Sequence, residues 1–277
     1  MPTADAANGT PKASGVAKKP LKILMLHGYT QSGPLFHSKT KALEKFLVKA
    51  LAPSNVVPQL IYPSAPNRLL PSDVPGFEPS NSATAATTSS DTTRTTSTTV
   101  TTDGPDMRAW FRRDEATNSY RLLDEGMAAI ATAIAAADGI HGICGFSQGA
   151  ATAALVAAAL EPARAPPPGP AGDWARGLRA ANAGRAALFA VAYSGFRALP
   201  QGLAWLFEPA IKTPSMHYIG SLDTVVDEGR SRALADACED PVVMVHPGGH
   251  YVPIARDWAM PLAAFIKKHA VESENKL

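Results

Sequence analysis

Gly139-Ile140-His141-Gly142-Ile143-Cys144-Gly145-Phe146-Ser147-Gln148-Gly149-Ala150-Ala151 is the stretch on which the fold turns. It opens as a short apolar strand and passes through a Gly-x-Ser-x-Gly pentapeptide. It then enters a small-residue helix predicted over Ala150 to Leu160 and stopped by Pro162. A serine held at a sharp strand-to-helix turn needs glycines around it, because neighbouring side chains have no room there. In that setting Ser147 presents its hydroxyl above a sheet edge, at the positive end of the following helix.

Outward from this point, strand and helix patterns alternate. Leu21 to Leu26 is a short apolar run ending at His27-Gly28, of the kind buried on both faces. A helix is predicted over Leu35 to Leu51, closed by Pro53, and a strand over Val56 to Tyr62. Ser119 to Ala137 reads as helix. Ala187 to Tyr193, Ser215 to Ile219 and Val242 to His246 read as strands, with helical segments at Glu228 to Cys238 and Trp258 to His269. Such alternation implies an α/β chain with a mainly parallel sheet and helices on both faces.

Three segments stand apart. Residues 1–20 lack the apolar core of a secretory signal and the arginines of a transit peptide, so a disordered tail is expected. Residues 79–105 are dominated by Thr, Ser, Ala and Asn, cannot bury enough surface to offset their ordering entropy, and read as a disordered insertion. Following a strand, this insertion is expected to border the catalytic edge. Pro162 to Gly184, opening on a proline-rich run, reads as a plain surface loop, with part of a lid as the alternative. The remainder is expected to form one domain over residues 21–272.

Composition narrows the function classes. The 277 residues are 45% hydrophobic, with 26 Lys and Arg against 24 Asp and Glu. That balance disfavours a chain built mainly to hold nucleic acid or coat an anionic membrane. No run of about 18 strongly apolar residues suggests a membrane span. Cys144 and Cys238 are too few for a disulfide framework and lack metal-ligand spacing. A cytoplasmic protein is expected. Lys18-Lys19, Arg112-Arg113 and Lys267-Lys268 read as solvated surface.

A serine hydroxyl needs a base, and the base an orienting carboxylate. Among the histidines after Ser147, His217 and His246 lie inside strands, and His269 sits near a helix end where a cation suits the dipole. His250 follows Pro247-Gly248-Gly249 in a loop after a strand, placed to reach over the sheet edge. Asp223, in Gly220-Ser221-Leu222-Asp223 after another strand, is the orienting carboxylate expected. Asp227 and Glu228 read as dipole partners of the next helix, and Asp240 lies at the wrong end of the sheet. For the oxyanion, the N–H of Gln148 is one expected donor. The loop after the first strand offers the other, Tyr29, with Thr30 as the alternative. His27 reads as a residue stabilising that loop.

These pieces resemble a known family. Leu26-His27-Gly28-Tyr29, Arg108-Ala109-Trp110-Phe111, Gly145 to Ala151 and His246-Pro247-Gly248-Gly249-His250-Tyr251-Val252-Pro253 are similar to the FSH-type serine hydrolases, over about Leu21 to His269. The resemblance implies an α/β-hydrolase fold, no cofactor and no metal, and esterase or thioesterase activity. It also implies Ser147, Asp223 and His250 as a catalytic triad. The family includes thioesterases that release chains from biosynthetic synthases, so an acyl-carrier domain stands beside a small ester or thioester as a partner. Arg108, Trp110 and Phe111 read as a packed aromatic anchor with an arginine tie. A non-catalytic binding module on the same fold is the rival from another class.

Overall fold

The computed structural model describes residues 18–73 and 106–271. The expected insertion at 79–105 and nearly all of the expected tail lie outside these residues. Lys19 and Pro20, expected within the tail, instead open β1 (Lys19–Leu26), and the Lys19 N–H donates to the Asn55 carbonyl at 2.9 Å.

In chain order there follow α1 (Gly33–Leu51), β2 (Val56–Ile61), β3 (Asn67–Arg68), β4 (Arg108–Ala109), β5 (Arg112–Asp114), β6 (Ser119–Arg121) and α2 (Leu123–Ala136). Then come β7 (Gly142–Phe146), α3 (Gln148–Leu160), α4 (Pro170–Ala181), β8 (Phe189–Tyr193), β9 (Ser215–Gly220), α5 (Glu228–Ala235), β10 (Val242–His246) and α6 (Arg256–Ile266). Six strands pair in the order β10-β9-β8-β7-β1-β2, every pair parallel. β3–β4 and β5–β6 are small antiparallel pairs outside that sheet. The parallel α/β layering is the one the alternation implied, and it is the α/β-hydrolase architecture that the family resemblance implied.

Side chains alternate along each strand, so the sheet has two apolar faces. Leu21, Ile23 and Met25 of β1, with Cys144, Phe146, Phe189, Val191 and Tyr193, pack beneath α1 and α6. Leu24, Leu26, Ile143, Ala190 and Ala192 face α2, α3 and α4. On this second face β8 presents two alanines, Ala190 and Ala192. That lets α3, rich in alanine and buried along its whole length, lie close against the sheet. Among the described residues no helix is long and apolar enough to cross a membrane.

Two sequence expectations need correction. The excursion after Pro162 is not a plain loop: α4 carries Trp174, Ala175 and Leu178 on one buried face and packs on α2 and α3. The proline-rich opening obscured a helix that begins with Pro170 at its first turn, where the missing N–H costs nothing. Its Arg179 donates to the carbonyls of Ala159, Glu161 and Arg164, closing the C-terminal end of α3. Likewise, the first residues of the helix expected from Ser119 form β6, because Tyr120 stacks on Phe111 at 4.0 Å instead of joining α2.

The chain order reverses between β1 and β7: the connection after β1 leads outward to β2, and that after β7 leads to β8 on the other side. Connections of opposite sense leave a crevice beyond the carboxyl ends of these two strands. Ser147 and the loop containing Tyr29 open into it.

Candidate active site

β7 delivers Ser147 at φ 55 and ψ −118, a conformation sparsely populated by residues with a side chain. The turn is pinned on both sides. The Ser147 N–H donates to Tyr193 O at 2.8 Å, and its carbonyl accepts from Ala150 and Ala151 as α3 opens. Gly145 meets the same turn from below, where an added Cβ would lie 2.1 Å from Gly149 O.

Across the carboxyl edge of the sheet, the loop after β10 brings His250 Nε2 to 3.0 Å from Ser147 Oγ. Its other ring nitrogen, Nδ1, is 2.7 Å from Asp223 Oδ2, on the loop after β9. Asp223 Oδ1 accepts from the N–H groups of Val225 and Val226, each at 2.9 Å. Burial works against the charged carboxylate. Hydrogen bonds from His250 and from these backbone groups outweigh it, holding Asp223 below the usual carboxylate range. With Asp223 fixed as the acceptor at Nδ1, the imidazole carries its proton there and turns a lone pair toward Ser147.

Tyr29 and Gln148 line a cleft together with Ser147. Among the described residues, neither the Tyr29 nor the Gln148 N–H meets an acceptor. The alternative at Thr30 is removed, because its N–H donates to Arg108 O at 3.0 Å. Gln148 is the first residue of α3, so its free N–H is one of the unpaired donors every helix start exposes.

The other candidates fall elsewhere. His217 Nε2 lies 3.0 Å from Ser215 Oγ within the core, where burial lowers its pKa to about 4. His246 is buried between Tyr251 and Trp258, and its ring nitrogens make no hydrogen bond among the described residues. His269 packs on the Phe265 ring at 4.6 Å. Burial first, and Lys268 second, push its pKa down, against the cationic role its helix end suggested. Asp227 caps α5, accepting from Arg230 N at 3.0 Å, and Glu228 pairs with Arg232. Both cysteines are buried and free, their thiols raised by burial to about 12 at Cys144 and about 11 at Cys238.

His27 is structural, as expected. Its Nε2 accepts from Ala65 N at 3.0 Å and its Nδ1 donates to Gly28 O at 2.8 Å. Sequence reasoning took only the backbone of Gln148 and missed its side chain. Gln148 Oε1 accepts from Trp110 N at 2.8 Å, and Nε2 donates to Phe111 O at 2.9 Å. The fully buried Trp110 in turn donates its indole N–H to His27 O at 2.9 Å. The Arg108–Phe111 segment therefore ties the start of α3 to the loop holding Tyr29. An aromatic anchor was legible there. Its hydrogen-bond partners were not, since they lie 38 and 83 residues away in sequence. Of the pair read as solvated surface, Arg113 is exposed as expected and Arg112 is half-buried against Asp73 at 2.8 Å, and both line a cleft beside Ser147.

Comparison with known proteins points the same way. The family model described as "Serine hydrolase (FSH1)" matches residues 16–262. The chain is similar to the Danio rerio protein named "Esterase OVCA2", 31% identical over 259 residues that cover 90% of this chain and 97% of that one. It is also similar to a Schizosaccharomyces pombe protein named "Dihydrofolate reductase", 30% identical over 235 residues. These are 85% of this chain but 44% of that protein, so the chain spans less than half its length. Among solved structures, Zea mays acyl-protein thioesterase 2 shares the fold with TM-score 0.52 and 20% identity, covering 91% of this chain and 94% of that one.

Proposed function

The chain belongs to the serine hydrolase (FSH1) family, and from that premise we propose that it cleaves carboxylic esters or thioesters through an acyl-enzyme formed on Ser147. The observation that carries this reading is the unbroken relay from Ser147 Oγ through His250 to Asp223, at 3.0 and 2.7 Å, in a cleft shared with Tyr29 and Gln148, whose N–H groups meet no acceptor among the described residues.

In the first half-reaction, His250 Nε2 takes the Ser147 proton as Oγ attacks the carbonyl carbon. The carbonyl oxygen becomes an oxyanion held by the Tyr29 and Gln148 N–H groups. Asp223 stabilises the imidazolium without itself taking the proton. As the tetrahedral species collapses, His250 gives that proton to the departing alcohol or thiol, leaving Ser147 acylated. In the second half, His250 removes a proton from water, and the resulting hydroxide attacks the acyl carbon. The carboxylic acid leaves as the proton returns to Ser147 Oγ.

The test is labelling by a fluorescent fluorophosphonate, wild type against Ser147→Ala, followed by a panel of matched oxygen and sulfur esters that includes a carrier-bound thioester. Labelling of the wild type alone, with turnover of the panel, supports the reading. Folded wild type that neither labels nor turns over any ester overturns it and favours a binding role for the same cleft.

A further inference from the structure

Ser147, Tyr29 and Val225 stand on the boundary between two clefts. One, about 650 Å³, is walled by Phe36, Phe146, Tyr251 and Val252 and contains His250. The other, about 760 Å³, passes Gln148 and Phe111 and is lined by Phe196, Leu199 and a group of arginines.

The proton chemistry decides which part of a substrate enters which cleft. His250 must deliver its proton to the leaving atom, so the leaving group lies on the imidazole side. Of these two clefts, only the apolar one is lined by His250. The acyl group therefore extends the other way, past Gln148 and Phe111.

That second cleft has an apolar wall and an unbalanced charge. Arg112, Arg113, Arg121 and Arg230 line it against Asp73, Asp114 and Glu115, a surplus of one positive charge. Arg112 is committed to both carboxylate oxygens of Asp73 at 3.0 and 2.8 Å. Asp114 accepts from the N–H groups of Ala116 and Thr117. Among the described residues, Arg113 and Arg121, on the hairpin that runs on from Phe111, form no ion pair. Arg230 is held over the Phe196 ring at 4.8 Å and donates to Val225 O at 3.3 Å, leaving its other donors unused among the described residues. Arg113 and Arg230 both act electrostatically on the Tyr120 hydroxyl, so the hairpin and α5 bring their charges to one place. An apolar stem closed by guanidinium groups suits an acyl chain that ends in an anion. A surplus of one charge is matched by a monoanion.

We propose that the substrate is a half-ester or half-thioester of a dicarboxylic acid, its acyl chain lying along Phe111, Phe196 and Leu199 with its free carboxylate at Arg113 and Arg230. This rests on the hydrolase reading above and adds the substrate class to it.

The test compares esters with one leaving group and one chain length, ending in a carboxylate, a primary carboxamide or a phosphate. For exposed charges acting together, a carboxylate-over-carboxamide ratio in kcat/KM of about tenfold is expected at low salt. The ratio should shrink at about 0.5 M salt. In the double variant R113Q/R230Q it should fall to near one. Because each ratio is taken on a single preparation, loss of folded material cancels from it. A wild-type ratio of one or less, a preference for phosphate, or a ratio retained by the double variant overturns the proposal. Fluorophosphonate labelling separates the two levels. A labelled enzyme without the preference loses only this substrate class, whereas an enzyme that neither labels nor hydrolyses any ester loses the hydrolase reading and this one with it.

Discussion

Gly149 on the first turn of α3 lies directly against Leu26 at the end of β1: a Cβ added to the glycine would stand 2.1 Å from the Leu26 carbonyl oxygen. The helix that starts at the candidate nucleophile and the strand leading to Tyr29 thus meet through bare backbone. Relief would require α3 or β1 to move, and either would shift one of the two proposed oxyanion donors. Gly149→Ala is expected to destabilise the fold by about 3 kcal/mol or more, beyond ordinary overpacking. A urea midpoint equal to wild type would contradict this contact.

Asp223 fixes the His250 tautomer from 2.7 Å, while His250 alone reaches Ser147. Asp223→Asn offers an N–H or a carbonyl in place of a carboxylate and favours the wrong imidazole tautomer. A fall in kcat on the order of 10³- to 10⁴-fold is expected, with KM little changed. Steady-state kinetics on an active-site-titrated preparation checks it, and a loss under tenfold would remove Asp223 from the relay.

Gln148 and Trp110 act by position. Gln148→Glu keeps an acceptor for Trp110 N but loses the donor to Phe111 O, whereas Gln148→Leu loses both. The graded expectation is a small fall in kcat for the first and up to about 10²-fold for the second. KM should change little in both. Trp110→Phe leaves the buried His27 carbonyl without its indole donor and should cost about 1–3 kcal/mol of stability. Wild-type kcat in both Gln148 variants would show that the side chain does not set the oxyanion geometry.

Stability should depend on pH through His27 and His217. Burial holds both pKa values at about 4, against an ordinary 6.5. The unfolded chain binds these protons first, so the native state is favoured in full above about pH 6.5. That advantage is lost as pH falls toward 4, on the order of 3 kcal/mol for each imidazole. Asp223, with its pKa lowered, adds loss in the same direction at still lower pH. Urea unfolding at pH 4.5 and 7.5 measures this, and coincident midpoints would contradict it.

One arginine marks what a linear reading conceals in the scaffold. Arg164 pairs with Glu161 at 2.8 Å and donates to the carbonyls of Trp205, Pro209 and Ala210, all 41 or more residues away. Arg164→Ala would leave a buried carboxylate without its cation, at a cost of about 3–5 kcal/mol, read as a lowered thermal midpoint.

The sequence by itself determined the parallel α/β layering, the turn at Ser147 and the family. Strand runs, glycine-flanked turns and short motifs are local patterns, each contained in a dozen residues or fewer. It also singled out Asp223 and His250, because each follows a strand and all strand ends of a parallel sheet share one edge. Tertiary structure decided what depends on distant partners. It committed Thr30 N to Arg108 O and left Tyr29 N without an acceptor among the described residues. It turned the Gln148 side chain onto the Trp110–Phe111 backbone, built α4 beneath a proline-rich opening, and gathered Arg113 and Arg230 beside one cleft. A hydrogen bond spanning 38 or 83 residues, or a charge surplus assembled from a hairpin and a helix, leaves no periodic trace in the chain. Its energy depends on distances that exist only once the sheet has formed.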